Sequence, residues 1–170
     1  MPTDLTSVIA ACTRWLLDAY PPPAGALNHA LADAQARQAV TLAAHLRYPT
    51  GLDIQLLHLC GPGGTDRLDW LTGCDAEPDG TAWRTWVDET VVSWAACLLA
   101  DRALAVRANR ARVATEHHTD RAGLHRLIDP GAHDIEAGAL LHHPDLLEPI
   151  AALHRPQLME LLPVEAAGTP

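Results

Sequence analysis

Histidine is the side chain through which this chain has most chemistry to offer: ten occur in 170 residues. A neutral imidazole is the commonest protein ligand for metals such as zinc. His117 and His118 are adjacent, Glu116 precedes them, and His125 follows seven positions on; His142 and His143 form a second adjacent pair. His117, His118, His125, His142 and His143 are therefore the candidate metal ligands, with His45 as a further donor. Seven positions are roughly two helical turns, so His118 and His125 would share a face if one helix ran through both. Thr119-Asp120 reads instead as a fresh N-cap, which ends that register. His133, Asp134 and Glu136 extend the set. No H-x-x-x-H, H-E-x-x-H or E-x-x-H pair occurs. The simpler expectation is a group of solvated histidines at helix ends, close to terminal carbonyls.

Other chemistry finds less support. His58, Cys60 and Cys74 could supply three zinc ligands, but the paired C-x₂₋₄-C spacing of structural sites is absent. Gly61-Pro62-Gly63-Gly64-Thr65 precedes a predicted short helix and offers backbone N–H groups to an anion. It lacks the Lys-Ser/Thr ending of a phosphate-binding loop, and acidic residues follow it, so it reads as a turn. The two serines, Ser7 and Ser93, sit among apolar helical residues, not in a G-x-S-x-G elbow. Four widely spaced cysteines do not make a disulfide framework and read as reduced thiols. No catalytic residue and no cofactor is assigned.

Partner-binding candidates come from charge and from leucine. Net charge is −9, and all 12 basic residues are arginine. Residues 53–89 carry eight acids and two arginines, net −6; residues 90–128 carry six arginines and three acids, net +3. Opposed patches of this kind steer a protein partner or a second copy. An acidic chain is a poor general ligand for phosphate backbones, so nucleic acid is not the expected partner. Arg107, Arg110 and Arg112 form the local basic patch. Leu158, Leu161 and Leu162 belong to a leucine-rich, proline-punctuated tail that could lie in a partner's groove.

The elements that would position these groups are all helical. Leu5, Val8, Ile9, Cys12, Leu16 and Ala19 predict a helix over about 4–19, stopped by Tyr20-Pro21-Pro22-Pro23. A second helix is predicted over 26–47, with a stripe of Leu27, Leu31, Ala34, Gln38, Leu42, His45 and Leu46. Residues 50–80 alternate weakly; a strand there would have nothing to pair with, so a short helix over 52–59 is preferred. The longest element is predicted over about 81–118, where Trp83, Trp86, Val87, Val91, Trp94 and Leu98 recur at three- and four-residue steps without Gly or Pro. Its tryptophans are expected in the core. Asp101 falls on that stripe, which predicts an ion pair with Arg102 or Arg14, or a face turned to solvent. Short helices follow over 120–128 and 133–141, then helical pieces broken at Pro144, Pro149, Pro156 and Pro163.

The expectation is an all-α protein: a helical bundle with one long central helix (about 81–118) and short C-terminal helices. One domain covers 1–163, and 164–170 is a flexible tail. The Ala-, Arg-, Gly- and Pro-rich composition points to a GC-rich bacterial or phage genome. Asp4 stands where a signal peptide would carry positive charge, and no apolar run approaches 18 residues, so a cytoplasmic location without a membrane is expected. Functionally, the chain reads as a non-enzymatic protein–protein interaction module, an accessory or regulatory subunit or a homo-oligomer. The alternative is a metal-dependent bundle enzyme or metal sensor built on the histidines.

Overall fold

The computed structural model describes Thr13, Leu16 and residues 24–47, 82–114, 124–141 and 144–162. Thr13 and Leu16 are helical and buried, where the first helix is predicted. The rest of that helix, the segment 50–80 and the tail 164–170 lie outside the described residues.

Helix α1 spans Ala26–Arg47, matching the predicted bounds. Its buried face does not match. Ala32, Gln35, Ala36, Ala39, Val40, Leu42, Ala43 and Ala44 point inward, and of the predicted stripe only Leu42 is among them. Leu27 is 70% exposed. Alanine explains the rotation: a face without bulk lets a neighbouring helix approach closely, and many backbone contacts then replace a few side-chain ones.

That neighbour is α2, Ala82–Ala100, which lies against α1 on one side. Every residue from Thr90 to Leu99 is buried. A helix apolar all round belongs in the middle of a bundle. Trp94 is among the largest fully buried side chains, whereas Trp86 is 43% exposed, so only one of these two predicted core tryptophans is in the core. The side chain of Trp83 lies outside the described residues.

The predicted rod over 81–118 is two helices, α2 and α3 (Arg102–Val113). The break is Asp101, whose backbone is extended (φ −132°, ψ 105°). Its Oδ1 accepts from the N–H groups of Ala103 (2.8 Å) and Leu104 (3.1 Å). Its own carbonyl accepts from Ala105 N–H at 3.0 Å. This is an N-cap. A short carboxylate competes for backbone donors, so a helix can stop and restart there without glycine or proline. Asp101 is exposed, in line with a face turned to solvent and not with a buried ion pair. Arg102 instead donates from Nε to the Ile128 carbonyl, 2.7 Å away, at the end of α4 (His125–Ile128).

Helix α5 (Ala132–Leu141) packs on α1, and α6 (Pro144–Leu161) packs along α2 on the side that α1 leaves open. Pro149 and Pro156 lie inside α6, and His154 leaves helical geometry (φ −130°, ψ 18°). Proline removes an N–H and crowds the carbonyl four residues back, which bends the helix near Pro156; at Pro149, where a break is also predicted, the helix runs on. The all-α class, a long helix (α1, 22 residues) and short C-terminal helices therefore stand. Among the described residues there is no strand, and no helix is long and apolar enough to cross a membrane.

Candidate functional site

Helix α6 has two faces, and each carries a candidate site. The inner face meets α2 through polar groups. Ser93 Oγ accepts from the His154 N–H (2.9 Å) and donates to the Ala151 carbonyl (3.3 Å). Trp94 Nε1 donates to the His154 carbonyl at 3.1 Å, and Cys97 Sγ lies 3.2 Å from the Ala151 carbonyl. Ser93, Trp94 and Cys97 are all on α2, and their polar atoms converge on the backbone bent at His154. A buried backbone polar group without a partner costs as much as a lost hydrogen bond, so these side chains are what allows the bend to be buried.

The His154 ring completes the seam. Nε2 lies 2.6 Å from Glu89 Oε1 and is the donor, because the carboxylate can only accept. Nδ1 is buried without a partner. The ring edge meets Trp86 at 6.0 Å between centroids and 86° between planes. The Arg47 guanidinium lies over the other partner of that pair, 5.1 Å from the Trp86 centroid. Glu89 is half-buried and Trp86 exposed, so the seam opens to solvent at this end.

The residue types Ser, His, Glu and Cys are thus together, but their geometry is that of a helix joint. Ser93 is fully buried and both its hydrogen-bonding roles are directed at backbone. Burial pushes the Cys97 thiol up, against the opposing effect of Arg155 beside it, which keeps the sulfur protonated and weakly nucleophilic. Arg155 in turn grips Glu148 through its two terminal guanidinium nitrogens (2.8 and 2.6 Å) and holds that carboxyl below its ordinary range.

The outer face of α6 mixes exposed apolar residues with the exposed polar residues Asp145, Glu148, Gln157 and Glu160. Leu146, Leu153 and Met159 are 39, 51 and 42% exposed, and Pro149, Ala152 and Pro156 are exposed between them. Buried residues Leu147, Ala151 and Leu158 occupy the opposite side and fix which face turns outward.

The predicted site residues fare unequally. Arg112, Leu158 and Leu162 are buried core residues, not surface contacts. Arg112 accepts its place by donating to Asn109 Oδ1 at 3.3 Å, and the half-buried Arg107 donates to the Leu162 carbonyl at 3.2 Å. Arg107 thus joins α3 to the end of α6, a role that spacing along one helix does not reveal. Arg110 and Leu161 remain at the surface. Of the candidate metal ligands, His125 is exposed, 3.8 Å from Asp129 Oδ2 on the next turn. His117, His118, His142 and His143 lie outside the described residues. Among the described residues, no three His, Cys, Asp or Glu side chains converge as a metal site would require. His45 is half-buried near the end of α1.

Sequence reasoning missed His154, Glu89 and the Ser93 joint. One signal was present: His154 lies within the turn that Pro156 crowds, where a bend is expected. Its partners are 60 or more positions away and no local pattern names them. No protein-family model, curated protein or solved structure matches the chain.

Proposed function

We propose that this chain is a cytoplasmic, non-enzymatic protein–protein interaction module that docks through the outer face of α6, as an accessory or regulatory subunit or in a homo-oligomer. The observation that supports it is the row of exposed apolar residues Leu146, Leu153 and Met159 on a helix whose other face is locked to α2. A rigidly seated helix presenting apolar side chains costs little ordering on binding. Apolar residues gathered on one surface, in contrast to scattered ones, mark interaction sites. The buried, backbone-directed Ser93 and the protonated Cys97 support a structural reading of the inner face. The acidic chain favours a protein over a nucleic acid as the partner. The test is binding by the purified full chain, to itself by light scattering and to other proteins by affinity capture, with and without Leu153→Asp. Binding that Leu153→Asp abolishes while helicity is kept supports the reading. Binding indifferent to that substitution, or none at all, sinks it.

A further inference from the structure

We draw no further inference here: the strongest candidate, the side-chain cluster at the solvent-facing end of the α2–α6 seam, where the buried ring of His154 meets Glu89 and Trp86 beneath Arg47, belongs to the helix joint already described, and among the described residues no third His, Cys, Asp or Glu joins His154 and Glu89 to make a metal site.

Discussion

Trp94 Nε1 donates to the carbonyl of His154, 3.1 Å away, across 60 positions of sequence. The indole is fully buried, and its only hydrogen-bonding group is spent on a backbone oxygen that a straight helix would direct along its own axis. Beside it, Ser93 serves the His154 N–H and the Ala151 carbonyl. The bend in α6 and the polar residues of α2 are thus one feature in two parts. The bend turns the outer face of α6 to solvent in a fixed orientation, which is how an internal hydrogen-bond joint bears on a binding surface.

Ser93→Ala should expose the value of that joint. The substitution removes a buried acceptor for the His154 N–H and a donor to the Ala151 carbonyl. Leaving buried backbone groups unpaired costs about 1–3 kcal/mol. Urea unfolding should show a midpoint shift of that size with little change in slope. A variant as stable as the wild type would mean that water or a backbone shift replaces the serine.

Asp101→Ala should cost about 1 kcal/mol, the usual loss for an N-cap carboxylate. Asp101→Asn keeps the acceptor that Ala103 and Leu104 use and should lose only part of this. Equilibrium unfolding of the two variants side by side is the measurement. Equal, negligible effects would remove the cap as the reason the helix breaks there.

Enlarging the alanine face should be more damaging than trimming an exposed leucine. Ala39 is completely buried on the alanine face of α1, and Ala39→Leu should cost about 1–3 kcal/mol through overpacking. Leu27→Ala, at a position 70% exposed, should stay within about 0.5 kcal/mol. Thermal melts would rank them; the reverse order would refute close α1–α2 packing.

Asp134 gives a pH prediction with a definite sign. Arg126 hydrogen-bonds its Oδ1 and the Gly131 N–H its Oδ2 at 3.1 Å, and both lower its pKa, the arginine more strongly. A carboxyl depressed in the folded state contributes stability that is present above its unfolded value, about 3.9. That stability is lost as pH falls below this value and through the folded one. Asp134→Asn should therefore lower stability at pH 7 and narrow the gap to wild type near pH 2. A constant gap across that range would show that the ionised form plays no special part.

From local order along the chain, helix class and several bounds were legible. Ala26–Arg47 follows from periodicity and from Tyr48-Pro49 after it, and the bend in α6 follows from Pro156, because both depend on neighbours within one or two turns. Which side of a helix is inside was not legible where alanine is abundant. Ala36 and Ala39 carry no signal of their own, yet their smallness decides how near α2 can come. Asp101 shows the same limit: it sits on the apolar stripe, and only the direction taken by α3 makes it a cap. The pairing of Glu89, Ser93 and Trp94 with His154, and the burial of Arg112 and Leu158, were settled by tertiary packing. Those contacts join groups far apart in the chain, where burial and the need to satisfy every buried polar atom act together, and no one-dimensional pattern records that demand.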